Sequence, residues 1–307
     1  MRAVVTGANG FVASHLIGHL LDCGDTVLAL TRTNHCRLDL SEQLTTGVWD
    51  ITQPASIGIT QQIAEFNPDV VYHLAAISVR SRCGDKEPSA EAIQVNINGT
   101  RHVAECCLRL PSVPRLLFTS SVYVYGSRYS QLTQVAEDHP LTPDNGYGKS
   151  KLLAEQSLLD LQDRLPVVIA RSFQHTGPGQ TGSLLIPEWH DKLQSAESPL
   201  EVYNLNTWID YSDARDVAQA YHILATEGEA GQIYNVGSGR AIRSGAIFDT
   251  LQKLLSINKS VIESKPGENF LPIANINKIL SSTSWLPTHD MDSTLRDFIE
   301  DRRSESA

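Results

Sequence analysis

Tyr147 and Lys151 stand four residues apart in Tyr147-Gly148-Lys149-Ser150-Lys151, downstream of the hydroxyl-rich run Phe118-Thr119-Ser120-Ser121-Val122-Tyr123. On a helix, residues i and i+4 share one face, so a phenol and an ammonium at this spacing point into the same cleft. Their joint chemistry is proton transfer to a ketone oxygen while a hydride reaches the carbon. A free tyrosine, with a pKa near 10, gives up its proton reluctantly at neutral pH. Lowering that value by two to three units takes roughly 3–4 kcal/mol, which a neighbouring ammonium supplies at an effective dielectric of about 20. Lys151 is the expected source of that charge, and Ser121 the expected hydrogen-bonding partner of the substrate oxygen.

A hydride needs a donor, and the N-terminus offers a place to hold one. The apolar run Arg2-Ala3-Val4-Val5-Thr6 leads into Gly7-Ala8-Asn9-Gly10-Phe11-Val12-Ala13 and then into an amphipathic helix through Leu16, Ile17, Leu20 and Leu21. A strand, a glycine turn and a helix in that order direct backbone N–H groups and the positive helix end at a pyrophosphate. Gly7, Asn9, Gly10, Phe11 and Val12 are therefore the expected dinucleotide cradle. The second strand, Thr26 to Leu30, is followed by Thr31-Arg32 and not by the carboxylate that holds a bare ribose diol. A guanidinium suits a 2′-phosphate, which favours NADPH and leaves NAD as a possibility. Asp50 and Ile51, after a short strand at Val48-Trp49, are placed to flank the adenine, and Leu74, Ala75 and Ala76 are small enough to let backbone pass close to the cofactor.

These groups need a scaffold of strands and helices. Apolar runs at Val70–His73, Arg115–Thr119 and Pro166–Ala170 alternate with helical patterns. Strands apolar on both faces, separated by helices, predict an α/β protein with a parallel sheet covered on both sides. After Arg171 the glycines and prolines become denser and the elements shorter. The expected division is a dinucleotide-binding unit over 1–171 and a smaller, mainly substrate-binding lobe over 172–307. A segment near 210–230, opening with the Asp-capped helix at Ser212–Tyr221, returns to the first unit.

The composition, 41% hydrophobic and 20% charged over 307 residues, is that of a globular protein with a full core. A net charge of −10 argues against nucleic-acid partners, whose recognition rests on clustered Lys and Arg. No apolar run approaches the length of a membrane span, which predicts a cytoplasmic protein free of membrane contact. Five cysteines without a CxxC pair predict no disulfide framework, with Cys83 the one bordering the cleft. His15 and His19 share a helix face, but no third ligand stands at metal-site spacing, so no metal is expected. A non-catalytic dinucleotide sensor would have no need of Ser121, Tyr147 and Lys151 together.

The glycine turn, His73-Leu74-Ala75-Ala76, Asn96-Ile97-Asn98-Gly99-Thr100, the Ser121 segment, Tyr147 with Lys151, and Gly177-Pro178-Gly179-Gln180 together resemble the extended short-chain dehydrogenase/reductases that act on nucleotide sugars, the NAD-dependent epimerase/dehydratase group. Within it the chain looks most like the GDP-4-keto-6-deoxy-D-mannose reductases, through Arg171–Gln180, Asp210–Asp216 and Ile233–Gly239. The resemblance implies a doubly wound parallel Rossmann sheet with a smaller mixed α/β lobe, a homodimer formed through helices of the first lobe, and reduction of a 4-keto nucleotide sugar. It adds cofactor contacts from Asn96, Phe173, Tyr147 and Lys151, with Lys151 on the nicotinamide ribose. Substrate contacts are implied for Ser78, Val122, Tyr123, Gln174 and His175, with Arg215 among the cations that would meet a diphosphate. The chain also departs from the pattern. Dehydratases of the group carry an acidic pair where Val122-Tyr123 stands, and the reductases often carry Glu at Tyr123, Asn at Gln174 and Arg at Ile209. A 4-epimerase with tightly held NAD, or a reductase or dehydrogenase of a non-nucleotide ketone or alcohol, are the competing readings.

Overall fold

A computed structural model describes residues 1–33, 35–36, 41–182 and 184–305. The chain opens with β1 (Arg2–Thr6), α1 (Phe11–Asp22), β2 (Thr26–Thr31), β3 (Leu44–Val48), α2 (Ile57–Phe66) and β4 (Val70–His73). A short α3 (Ala90–Ala92), a π-helical turn at Ile93–Asn98 and α4 (Gly99–Arg109) lead to β5 (Arg115–Ser121), a 3₁₀ turn at Val122–Tyr125, β6 (Gln134–Val135), α5 (Gly146–Leu159) and β7 (Val167–Ser172). There follow β8 (Gln174–Thr176), α6 (Leu185–Gln194), β9 (Leu200–Val202), β10 (Thr207–Asp213), α7 (Ala214–Glu227) and β11 (Ile233–Val236). The chain closes with β12 (Ala241–Arg243), α8 (Ser244–Leu255), β13 (Val261–Glu263), β14 (Asn269–Phe270), β15 (Ile273–Ala274), α9 (Asn277–Ser282) and α10 (Met291–Glu305).

Seven parallel strands form the central sheet in the order β11-β7-β5-β4-β1-β2-β3. Its inner strands are buried on both faces, and all four residues of β4 are inaccessible. One face packs on α1 and α7 through Leu16, Ile17, Leu20, Val217, Tyr221 and Leu224, the other on α2, α4 and α5 through Ile59, Ile63, Val103, Ala154 and Leu158. The strand order reverses between β1 and β4, and ligands of such sheets bind beyond the carboxyl ends of the strands at that crevice. The third strand runs from Leu44 to Val48, earlier than the Val48-Trp49 pair read from sequence. Thr45, Thr46 and Gly47 break the apolar pattern, while pairing with β2 in register Leu28 to Thr45 supplies the order that composition hides.

A second layer holds β12-β10-β14 with β8 beside β10, and its core is Ile186, Trp189, Leu200, Phe248, Leu295 and Phe298. Asp213 ends β10 and caps α7, accepting from the Arg215 N–H at 2.8 Å. That cap turns the chain back onto the large sheet, where β11 pairs with β7. Beneath the sheet edge the buried Arg171 forks onto Glu155, with Nη2 to Oε2 at 2.7 Å and Nε to Oε1 at 3.0 Å, and also donates to Tyr125 Oη and the Glu137 carbonyl at 3.0 Å each. Glu155 lies one helical turn beyond Lys151, so this ion pair anchors α5 to β7. No helix among the described residues is long and apolar enough to cross a membrane.

Candidate active site

The end of β5 and the start of α5 bring the reactive residues together. Asn145 caps α5, its Oδ1 accepting from Gly148 N–H at 2.9 Å. A side chain at Gly148 would stand 2.2 Å from the Tyr123 carbonyl oxygen, so only glycine lets α5 press against the 3₁₀ turn that follows Ser121. Tyr147 is thereby set edge-on to Tyr123, ring centroids 5.9 Å apart, and is 9% exposed. Ser121 Oγ accepts from Tyr123 N–H at 3.3 Å and stands near enough to the Tyr147 phenol to oppose the rise in its pKa.

Lys151 is buried, donates from Nζ to the Thr119 carbonyl at 2.8 Å and lies 4.9 Å over the Phe118 ring. Burial pushes its pKa down to about 8, with Glu155 and Cys83 pulling the other way. The Tyr147 phenol is raised above the ordinary tyrosine value, chiefly by burial, and the Ser121 hydrogen bond opposes that shift without reversing it. Lys151 is not among the groups that shift the phenol in this arrangement, its ammonium being turned to the Thr119 carbonyl.

A cleft of about 2220 Å³ runs past these groups, beyond the range of a single small-ligand pocket and roomy enough for two ligands in line. Gly7, Asn9, Gly10, Phe11 and Val12 line it, together with Arg32, Asp50, Ile51, Leu74, Ala75 and Ala76. Gly7 has φ +71° and a Cβ there would lie 2.7 Å from the Ala75 Cα, so the turn and the end of β4 touch through backbone alone. Gly10 gives α1 no side-chain cap, and no acidic residue occupies its first turn. Unsatisfied N–H groups at an uncapped, uncharged helix start suit the pyrophosphate of a dinucleotide. Arg32 is exposed, while Asp50 Oδ1 accepts from Thr52 N–H at 3.0 Å and Thr52 Oγ1 at 2.8 Å.

Beyond Tyr147 the lining includes Ser78, Val122, Tyr123, Phe173, Gln174 and His175. Gln174 Nε2 reaches Tyr123 Oη at 3.5 Å, and its Oε1 is buried with no hydrogen-bond partner, as is Ser120 Oγ. His175 stacks on Phe11, its Nδ1 against the Phe173 carbonyl at 2.9 Å, and burial lowers its pKa.

Three residues are placed elsewhere than the sequence suggested. Arg215 does not line the cleft, because its guanidinium is bound to Asp213 at 2.7 Å and Asp297 at 2.8 Å. Asn96 lies in the π-helical turn behind the cleft wall, its amide closing on Ile77 N–H at 2.8 Å, the Ile77 carbonyl at 3.1 Å and Ser150 Oγ at 3.0 Å. Its effect is to shape the segment Ile77-Ser78 and to steady α5. Cys83 sits beneath Tyr147 in the small cluster of Ile77, Ala92 and Tyr147, with Sγ 3.4 Å from the Ile77 carbonyl. Sequence reasoning missed Arg80, Lys86 and Arg128, exposed cations on the cleft wall, with Arg80 4.9 Å over the Tyr123 ring. The density of basic residues over Arg80–Lys86 was a visible signal, but nothing in it said which way the loop faced.

A parallel sheet reversing at the dinucleotide turn, with Ser, Tyr and Lys converging at its carboxyl edge, defines an NAD(P)-dependent enzyme of the extended short-chain dehydrogenase/reductase type. The chain belongs to the NAD dependent epimerase/dehydratase family, whose model matches residues 3–237. It is 27% identical to GDP-6-deoxy-D-mannose reductase from Pseudomonas aeruginosa, over 99% of this chain and 97% of that one. It is 26% identical to UDP-glucose 4-epimerase from Azospirillum brasilense, over 99% and 92%. A structure of RMD from Pseudomonas aeruginosa complexed with NADPH matches at a TM-score of 0.84 and 25% identity, over 99% of this chain and 100% of that one.

Proposed function

We propose that this protein reduces the keto group of a 4-keto nucleotide sugar, of the GDP-4-keto-6-deoxymannose type, using NADPH. The observation that carries the reading is the convergence of Ser121, Tyr147 and Lys151 on one wall of the cleft that the glycine turn lines. The nicotinamide coenzyme, when bound, supplies the hydride. Ser121 holds the substrate oxygen, and Tyr147 gives it the phenolic proton as the carbonyl becomes an alcohol. Charged Lys151 steadies the tyrosinate left behind and orients the ribose, and solvent returns the proton to Tyr147. Val122-Tyr123, where water elimination would need an acidic pair, supports reduction over dehydration.

Gln174 and Ser120 offer their unpartnered oxygens to sugar hydroxyls. Arg80, Lys86 and Arg128 replace Arg215 as the cations for the diphosphate. In this reading residues 1–171, with the return near 210–230, hold the coenzyme and the remainder of 172–307 holds the sugar nucleotide, in a cytoplasmic homodimer.

The test is mass spectrometry of the denatured, freshly purified protein, followed by an assay of NADPH oxidation with the keto sugar nucleotide. Cofactor-free protein that turns over NADPH supports the reading, whereas near-stoichiometric retained NAD and interconversion of sugar epimers would replace it with an epimerase. Arg32→Asp is expected to move the kcat/KM preference from NADPH toward NADH by about ten- to a hundredfold, the scale of a charge-assisted hydrogen bond. An unchanged ratio would show that Arg32 does not read the 2′-phosphate.

The pH profile follows from Lys151. Its pKa is depressed, so the ammonium is present below about 8 and is lost above it. Reduction needs that charge, so kcat/KM is expected to be level through neutral pH and to decline above about pH 8. A profile that stays level to pH 10 would remove the Lys151 charge from the mechanism.

A further inference from the structure

At the opposite edge of the sheet from the cleft, α1 and α7 run side by side, and three metal-ligating side chains meet between them. His19 Nε2 lies 3.0 Å from His222 Nδ1 and 3.8 Å from Cys23 Sγ, and the three atoms fall within 4.8 Å of one another. His19 and Cys23 are i and i+4 at the end of α1, so they share a face, and His222 comes from α7, 203 residues further along the chain. The second nitrogen of His222, Nε2, faces Asp25 Oδ2 at 3.6 Å. Asp25 is only 5% exposed, and that oxygen has no hydrogen-bond partner.

We propose that His19, Cys23 and His222 form a binding site for a divalent transition-metal ion, zinc before others, with Asp25 orienting His222. A tetrahedral zinc with bonds of about 2.0–2.1 Å to nitrogen and 2.3 Å to sulfur needs ligand atoms roughly 3.3 Å apart for two nitrogens and 3.6 Å for nitrogen and sulfur. The His19–His222 and His19–Cys23 spacings are within a few tenths of an ångström of these values, and Cys23 Sγ lies within 4.8 Å of His222 Nδ1. A ligating histidine whose other nitrogen meets a carboxylate is the usual support of such a site, and here that carboxylate is the buried Asp25, whose Oδ1 is paired with the Met1 ammonium and whose Oδ2 is left to His222. Two imidazoles and a thiolate select zinc, copper or nickel over magnesium or calcium.

Cys23 is exposed and His19 half-buried, which gives the ion a path in and leaves its fourth position to water. His15, the other histidine of the helix, is turned to the Pro178 carbonyl at 2.9 Å and takes no part. The third ligand escaped the sequence because it belongs to another helix. Bound metal would tie α1, which carries the phosphate turn, to α7.

The test uses the full chain, stripped with a chelator and titrated anaerobically with Co²⁺. One equivalent is expected to produce the visible bands of tetrahedral cobalt and a near-ultraviolet thiolate-to-cobalt band, to be displaced by Zn²⁺, and to raise the thermal midpoint. Cys23→Ser should abolish the thiolate band with its apo midpoint unchanged, and Asp25→Asn should weaken binding about 10- to 100-fold. Cys36→Ser should behave as the unaltered protein. Absence of the thiolate band, its survival in Cys23→Ser, or an unmoved thermal midpoint at saturating metal would overturn the proposal. None of these readouts depends on turnover, so they stand apart from the fate of the proposed reductase activity.

Discussion

Tyr147→Phe is expected to bind NADPH as the unaltered protein does and to lose at least ~10²-fold in turnover, the usual scale of a missing general acid. Phenylalanine keeps the ring, its burial and its edge-on contact with Tyr123, so the fold and the cofactor cleft are left intact. What goes is the single phenolic O–H beside Ser121. A loss of 10²- to 10⁴-fold corresponds to about 2.7–5.4 kcal/mol of transition-state stabilisation. Cofactor affinity measured by NADPH fluorescence, alongside single-turnover rates, separates the two effects. A variant that turns over normally would take Tyr147 out of the chemistry and with it the reductase reading.

The second large effect is on stability. Glu155→Ala strips the buried Arg171 of its bidentate partner, leaving a cation with side-chain exposure of 2% and only neutral acceptors around it. Breaking such a pair from one side costs about 3–5 kcal/mol, because the remaining charge is desolvated and unmatched. The urea midpoint of Glu155→Ala is expected to fall accordingly. Replacing both residues with apolar ones of similar volume, Glu155→Leu with Arg171→Met, should recover most of that loss. If the double variant is no more stable than the single one, the cost lies in the Tyr125 and Glu137 contacts of Arg171 and not in an unpaired charge. Glu155 also raises the pKa of Lys151, so the single variant should move the alkaline limb of activity to lower pH.

Much of this molecule was legible in its residues. The alternation of apolar strands with helices predicted the parallel sheet, because strands buried on both faces leave continuous apolar runs such as Val70-Val71-Tyr72. Gly7, Gly10, Ser121, Tyr147 and Lys151 were readable because each sits at a fixed offset from an element boundary, where backbone geometry dictates direction. β3 was misplaced because its threonines and glycine carry little periodicity, and pairing with β2 makes the strand.

Long-range contacts belong to tertiary structure alone. It assigns Arg215 to Asp213 and Asp297, turns Arg80, Lys86 and Arg128 toward the cleft, and lays Lys151 against the Thr119 carbonyl. It also joins His222 to His19 and Cys23 across 203 residues. Local sequence fixes what a residue can do and which face of its own helix or strand it occupies. Which partner desolvates or neutralises it depends on how those faces pack, and that is a property of the whole chain.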